Sequence, residues 1–161
     1  MDYRSLLAGL IRKERIAHLA TLRQGAPMAG MTLYLAAPGF DALYVHVSRL
    51  AWHTQDMLAD GRVSLSIVET DAPADPSVDP QRLARVSVRG EAVPLAQDSP
   101  VHQELKAAWL TRFPESAISF ELADFAFFRI TPRDARFVAG FGSIHNLSAE
   151  ALVDASGDVS K

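Results

Sequence analysis

The chain of 161 residues has the length of one domain, and its hydrophobic share of 48% and charged share of 22% exclude a fibrous repeat and general disorder. The formal net charge of -3, with basic residues scattered among acidic ones, lacks the basic stripe of a nucleic-acid-binding protein. The absence of cysteine excludes disulfides, thiolate catalysis and cysteine-ligated metals.

The amino-terminal segment "MDYRSLLAGLIRKERIAHLATL" has apolar residues that are interrupted by charged residues at positions 12–15. It therefore has neither the continuous apolar core of a signal peptide nor a membrane span. We predict a cytoplasmic protein that does not enter a membrane.

The first predicted element is an amphipathic helix over residues 3–13, because its leucine and isoleucine positions recur at helical spacing. Three strands follow, in "IAHLATL", "PMAGMTLYLAA" and "ALYVHVS", and the turns between them are short. These strands must be antiparallel neighbours, because a parallel pair needs a crossover of about a dozen residues or more.

The rest of the chain adds further strands and two helices. A short helix is predicted over residues 51–59, and strands follow in "RVSLSIVE" and "ARVSVRGEAVPL", where apolar and polar residues alternate. The segment "SPVHQELKAAWLTRFP" predicts a helix that begins near Pro100 and stops at Pro114. Two strands joined around residues 131–134 are predicted in "FAFFRITPRDARFVAGFG", before a tail of small and acidic residues from Ala149. Six or seven mostly antiparallel strands with three short helices predict a sandwich or a barrel.

No familiar catalytic or metal-binding motif occurs in the chain. A Gly-x-Ser-x-Gly elbow, a His-Glu-x-x-His pair, an Asp-rich calcium loop and a glycine-rich phosphate loop are all missing from the sequence. The sequence therefore predicts no metal site, and it leaves the catalytic residues unknown.

The segment "SRLAWHTQDM" carries the densest group of polar side chains. Ser48 and Arg49 leave the end of a predicted strand, and His53 and Thr54 lie in the first turn of the helix that follows. A guanidinium fork, two hydroxyls and the free N–H groups of a helix start together suit an anion such as a phosphate. The alternative is that Ser48 caps the helix while Arg49 and His53 lie in solvent.

His145 follows the glycine cluster "AGFG" near the carboxyl end of the chain. Such a histidine can serve as an axial ligand of haem, and it can equally be a surface residue. The histidines at positions 18 and 46 lie in predicted strands, where packing is the ordinary role of an imidazole.

The order of these features resembles the flavin-binding split barrel of the pyridoxamine 5'-phosphate oxidase-like superfamily. The resemblance covers residues 14–147 and is carried by "LATLRQGAP", by "SRLAWHT" before "LADGRVSL", and by the late "GFG". The close of the chain, "FAFFRITPRDARFVAGFGSIHNL", resembles in particular the branch that includes haem-utilisation proteins.

The resemblance implies a mainly β fold, a six-stranded antiparallel split barrel with flanking helices. It further implies a homodimer that holds FMN in clefts at its interface. We assign residues 1–147 to this FMN-binding domain and residues 148–161 to a carboxyl-terminal tail.

By the same resemblance, six residues bind the cofactor: Met31 and Thr32 beside the flavin ring, Ser48 and Arg49 at the ribityl phosphate, and His53 and Thr54 on the following helix. Asp56 is a departure, since many relatives have asparagine there. A carboxylate near a phosphate is unfavourable unless it points away or orients Arg49 or His53.

Three functions remain open from the sequence. The first is an FMN-dependent oxidoreductase that acts on an unidentified small molecule, in which the flavin carries the redox chemistry. The second is a haem-binding or haem-degrading protein, with His145 as ligand. The third is a non-catalytic dimeric flavin-binding module. Oxidation of vitamin B6 is not expected, because the carboxyl-terminal Arg and His of a true pyridoxamine phosphate oxidase are missing.

Overall fold

The computed structural model describes residues 2–71 and 75–157. In these ranges eight strands form one antiparallel sheet, and four α-helices flank it. The strands are β1 (Ile16–Arg23), β2 (Ala26–Leu33), β3 (Leu35–Ala36), β4 (Leu43–Ser48), β5 (Arg62–Val68), β6 (Arg85–Pro94), β7 (Phe125–Val138) and β8 (Ile144–Ser148). The helices are α1 (Tyr3–Lys13), α2 (Trp52–Ala59), α3 (His102–Arg112) and α4 (Ala149–Ser156).

The sheet has the strand order β2-β1-β5-β6-β7-β4-β3, and β8 pairs with β7 beside this path. The sheet curls, so that β2 at one edge approaches β4 near the other. The result is a curled antiparallel half-barrel with flanking helices, a split barrel of mixed α and β structure. The predicted antiparallel arrangement is confirmed, while the predicted numbers of six or seven strands and three helices are too low.

The predicted break at residues 131–134 is wrong, because β7 runs through it as one strand of 14 residues. Arg89 pairs with Asp134 and Gly90 pairs with Pro132, so Arg133 is the extra residue of a bulge. A Cβ at Gly90 would lie 2.4 Å from the Thr131 carbonyl oxygen, which only glycine avoids. The proline and aspartate that suggest a turn in the sequence belong to this bulge.

Alternation along the strands separates an inner face from an outer face. The inner side chains form the main core with α1, α2 and α4, as Ala17 and Leu19 of β1 show by being fully buried. We define the outer face as the side of the sheet that carries one cross-strand row of partners: Met31, His18, Ser66, Ser87, Arg136 and Asn146.

A second core lies between α3 and strands β4 and β7. Trp109 of α3 and Phe127 of β7 are buried there together with Phe113 and Tyr44. Strand β4 is consequently covered on both sides, which explains its nearly continuous apolar sequence.

The residues that follow position 147 are part of the folded domain. Strand β8 crosses that position, and α4 begins after Ser148, whose hydroxyl accepts a hydrogen bond from the Ala151 N–H at 3.1 Å. Leu152 of α4 lies in the main core and is 1% exposed. Residues 149–156 are thus helical rather than a tail, and residues 158–161 of the assigned tail lie outside the described residues.

None of the helices in the described ranges is long and apolar enough to span a membrane.

Candidate functional site

Ser48 ends β4 and shapes the turn that leads into α2. Its hydroxyl accepts a hydrogen bond from the Leu50 N–H at 3.1 Å, and its carbonyl accepts one from the Ala51 N–H at 3.1 Å. The N-cap of α2 is Ala51, which has no side-chain acceptor. The alternative interpretation, in which Ser48 caps the helix, is therefore wrong.

Asp124, just before β7, is the main partner of Ser48. The Ser48 hydroxyl donates to Asp124 Oδ2 at 2.6 Å, and the Arg49 N–H donates to the Asp124 carbonyl at 2.7 Å. The hydroxyl hydrogen of Ser48 is consequently engaged by a carboxylate and is not free to bind a phosphate. Sequence reasoning missed Asp124, because it lies 76 positions from Ser48 and no motif links the two.

The Arg49 side chain is exposed, and it forms no hydrogen bond or ion pair with any residue in the described ranges. It lies beside the start of α2, where the first N–H groups of a helix have no acceptor within the helix. Positive charge and free donors thus occur together at this point, as the sequence predicts for an anion site.

His53 is half-buried against the inner side of β2. A Cβ placed on Gly30 would lie 4.0 Å from His53 Nδ1, so the ring covers the strand at this glycine. Burial lowers the pKa of His53, and the nearby Asp56 opposes that effect only in part. The lowered pKa favours the neutral imidazole, which brings no positive charge to an anion site.

Thr54 is fully buried, in contrast to the exposed Arg49. Its hydroxyl oxygen has no hydrogen-bond partner among the residues that the structure describes. The four predicted anion-binding residues of this segment therefore do not share one surface: Arg49 points to solvent, and Thr54 points into the protein.

Asp56 is 4% exposed and has both carboxylate oxygens occupied. It accepts hydrogen bonds from Thr21 Oγ1 at 2.7 Å and from Arg23 Nη1 at 2.8 Å. The Arg23 guanidinium in turn lies 4.0 Å above the centre of the Trp52 ring. Asp56 thus points inward with its charge compensated, and it orients Arg23 rather than Arg49 or His53. Sequence reasoning missed this cluster, because Arg23 and Trp52 are 29 positions apart in the chain.

Met31 and Thr32 lie on opposite faces of β2. Met31 is 60% exposed on the outer face, where it pairs with His18 across the strands. Thr32 is buried on the inner side, and its hydroxyl donates to the Leu33 carbonyl at 3.0 Å. Only Met31 is accessible to a ligand on the outer face.

The centre of the outer face is open and lined by small or polar side chains. Ser66 and Ser87 occupy its centre, between the exposed His18 on one side and Arg136 on the other. Two adjoining cavities of about 580 and 460 Å³ share Ser87 and Arg136 in their walls. These residues come from separate strands, so no local pattern in the sequence indicates that they meet.

His145 lies on the inner side of β8. Its ring stacks on Tyr3 with 3.9 Å between ring centres. The ring of Phe137, its cross-strand partner on β7, lies 6.3 Å away between ring centres. Its Nε2 atom is 3.1 Å from the Ser143 hydroxyl oxygen. These contacts are those of a packed imidazole, and a role of His145 as haem ligand stays a prediction.

A metal site built from three or more histidine, aspartate or glutamate side chains does not occur within residues 2–71 and 75–157.

Comparison with known proteins places these features in context. Residues 8–153 match the family model described as "CREG, beta-barrel". Heme oxygenase HutZ of Vibrio cholerae serotype O1 is 29% identical over 148 residues, which cover 89% of this chain and 80% of that protein.

Solved structures share the fold at lower sequence identity. A heme binding protein from Mycobacterium smegmatis is 24% identical with a TM-score of 0.82, over 96% of this chain and 61% of that one. A FAD-binding protein from Mesorhizobium loti is 19% identical with a TM-score of 0.62, over 81% of this chain and 89% of that one.

Proposed function

This chain belongs to the CREG β-barrel family, in the haem-utilisation branch of the pyridoxamine 5'-phosphate oxidase-like split barrels, and from that premise we propose that it binds haem and degrades it oxidatively. The observation that carries the proposal is the 29% identity to heme oxygenase HutZ, which extends over 80% of that protein. Haem degradation therefore takes precedence over the flavin chemistry that the sequence resemblance suggested first.

A haem site needs an axial ligand for the iron, such as a neutral imidazole, together with room for a flat ring and donors for the propionate groups. Of the five histidines, His46 and His102 pack among the aromatic rings of the second core. His53 and His145 face the inner side of the sheet. His18 is exposed on the outer face, and we propose it as the iron ligand.

The residues around His18 suit a flat ligand. The neighbouring Ser66 and Ser87 are small, so the sheet beside His18 leaves space above it, and Arg136 lies in the same row. Bound haem would supply the redox chemistry at its iron. The protein residues would hold the iron through His18, cover one edge of the ring with Met31 and bind the propionates through arginine.

A second copy of the chain would cover the outer face. This face exposes large apolar side chains, among them Met31 at 60%, Ile16 at 48% and Ile144 at 50%. We therefore propose a homodimer in which the ligand lies between the two outer faces.

Titration of the purified protein with haemin, followed by absorption spectroscopy, tests the proposal. We expect a Soret band that is lost in His18→Ala and kept in the matched variant His145→Ala. A Soret band lost only in His145→Ala would instead assign the ligand to β8. A wild-type protein that gives no Soret band would contradict haem binding.

Degradation is tested on the haemin complex with ascorbate as reductant in air. The Soret band should decay with formation of an open-chain tetrapyrrole, and it should persist without reductant. A stable Soret band under both conditions would contradict the oxygenase activity and leave haem binding as the function.

FMN-dependent oxidoreduction is the second candidate, and the unpaired Arg49 beside the start of α2 favours it. Its guanidinium would bind the FMN phosphate with about 1.5–3 kcal/mol. We expect Arg49→Ala to weaken FMN affinity by about tenfold or more, measured by quenching of FMN fluorescence, with the exposed Arg133→Ala as control. Equal FMN affinity in the two variants would contradict this site. A protein that binds neither FMN nor haemin would fit the non-catalytic dimeric module.

A further inference from the structure

One of the two cavities of the outer face lies beneath the loop of residues 140–142. It has a volume of about 460 Å³, and we call it the loop cavity. Its walls are formed by ten residues: Ser66, Gln81, Arg85, Ser87, Arg136, Val138, Gly140, Phe141, Gly142 and Ile144. In the sequence, only the glycine cluster "AGFG" marks this position.

Two arginines in the loop cavity have no acidic partner. Neither Arg85 nor Arg136 forms an ion pair with a described carboxylate, and the cavity wall contains no aspartate or glutamate. In the adjoining cavity Arg89 is different, because it donates to both carboxylate oxygens of Asp134 at 2.7 and 2.6 Å. The protein has a net charge of -3, so two unpaired cations in one cavity stand out from its overall charge.

Hydrogen bonds hold both guanidinium groups in place without neutralising them. Arg85 Nη1 donates to the carbonyls of Gln81 and Leu83 at 3.0 and 3.1 Å. Arg136 Nη1 donates to Asn146 Oδ1 at 2.9 Å. Each arginine keeps further N–H groups that have no acceptor in the described residues, so both can donate to a ligand.

The register of β6 and β7 places these two arginines on one diagonal. Arg85 pairs with Val138, and the next outward pair is Ser87 with Arg136. Diagonal neighbours are about 7–8 Å apart at their backbones, within reach of two long side chains. Two like charges at this separation repel each other, and an anion between them removes that repulsion.

Apart from the amide of Gln81, the remaining walls are apolar or carry hydroxyls. Phe141 is 82% exposed at the tip of the loop, and Ile144 is 50% exposed beside it. Gly140 and Gly142 have φ angles of 122° and 83°, which only glycine adopts readily, so they fix the loop that presents Phe141. Ser66 and Ser87 add hydroxyl donors at the floor.

We propose that the loop cavity binds the carboxylate of a flat, apolar ligand, with Arg85 and Arg136 as its donors and Phe141 against the ring. The inference deepens and in part rests on the proposed function, because the propionates of haem are carboxylates on a flat ring. His18 and Arg136 lie in one cross-strand row, three strand spacings or about 14 Å apart at their backbones. Both side chains stand on the outer face, so a flat ring that covers Ser66 and Ser87 would lie between them.

The first test compares haemin with haemin dimethyl ester, which lacks free carboxylates. In the Arg85→Gln/Arg136→Gln double variant we expect haemin affinity to fall by about tenfold or more, since hydrogen bonds to charged groups contribute that much. The ester should bind the wild type and the double variant equally. The matched control is Arg89→Gln, whose wild-type guanidinium is already paired with Asp134. An unchanged haemin affinity in the double variant would overturn the proposal.

The second test separates the cavity from haem binding. The fluorescent probe 1-pyrenebutyrate has a flat apolar ring and one carboxylate, and 1-pyrenebutanol is its neutral counterpart. We expect the wild type to prefer the carboxylate, and Arg136→Gln and Phe141→Ala each to weaken its binding. If this pattern is found in a protein without a haemin Soret band, haem binding fails and the carboxylate site stands. Equal affinity for the acid and the alcohol would overturn the site even where haemin binds.

Discussion

Among the residues of the predicted anion site, Asp56 is the one whose negative charge is expected from the sequence to oppose the binding of an anion. The structure gives its carboxylate two partners, Thr21 and Arg23, and buries all three groups wholly or in part beneath α2. Its negative charge therefore stabilises the position of Arg23 on Trp52, and it does not oppose the binding of an anion at Arg49.

We predict that Asp56→Ala lowers the free energy of unfolding by about 1.5–3 kcal/mol, because the buried part of Arg23 loses its only carboxylate partner among the described residues. Urea unfolding of Asp56→Ala, Arg23→Met and the double variant measures the coupling between the two side chains. If the two single effects simply add in the double variant, the pair does not contribute as described.

Thr54 has a buried hydroxyl without a partner in the described part of the chain. An unsatisfied buried polar group is unfavourable, so we predict that the isosteric Thr54→Val raises the free energy of unfolding by about 1 kcal/mol. Thermal unfolding measures this change, and Thr21→Val is the control, because the Thr21 hydroxyl is bonded to Asp56 and its loss should destabilise. A fall in FMN affinity in Thr54→Val would show that this hydroxyl binds ligand after all.

At the scale of the elements, His46 of β4 attaches the short 3-10 helix Pro114–Phe120, which follows α3, to the sheet. The imidazole stacks on Phe120 with 4.1 Å between ring centres, and its Nδ1 atom lies 3.2 Å from Ser119 Oγ. The Ser119 hydroxyl donates to the Ser116 carbonyl, so His46 must carry the hydrogen of the bond between them. Burial, followed by the nearby His102, lowers the pKa of His46 from 6.5 to about 4.

This shift predicts acid lability. Between pH 6.5 and about 4 the unfolded chain takes up a proton at His46 that the folded protein does not, so the stability falls as the pH falls through this window. We expect the melting temperature of His46→Phe to drop less between pH 7 and pH 5 than that of the wild type. His18→Phe removes an exposed imidazole and serves as control. Parallel pH profiles for His46→Phe and wild type would refute the assignment.

Most helices and strands can be predicted from the local sequence, and each wrong prediction has an identifiable cause. The alternation in β5 and β6 and the prolines around α3 predict those elements correctly. The sequence predicts two strands in place of β7, because the bulge that contains Pro132 has the composition of a turn. The sequence does not predict α4, because this helix of mostly small residues is stabilised by packing on other elements. Composition alone does not indicate such packing. The sequence indicates the candidate site residues that are adjacent in the chain. It does not indicate Asp124, Arg23 or the cross-strand row of the outer face, because these depend on contacts between distant parts of the chain.

At the scale of the whole molecule, the proposed homodimer depends on the outer face. We predict a dimer that the double variant Met31→Glu/Ile16→Glu converts to a monomer, because two charges per subunit would be buried in the interface. Sedimentation velocity measures the state. Leu50→Glu is the control, since Leu50 is 78% exposed but lies in the turn before α2 rather than on the outer face. A wild-type monomer, or a double variant that stays dimeric, would contradict this interface.

Strand β7 also determines how the protein unfolds. It pairs with β6 along its length, with β4 at its beginning and with β8 at its end, and it contributes to both cores. Because β7 belongs to both cores, we expect the domain to unfold as one cooperative unit, with the slowest-exchanging amides in the middle of this strand. Partial unfolding begins instead at the edges, and a ligand that joins β1 to β7 across the outer face would slow the opening of the whole sheet.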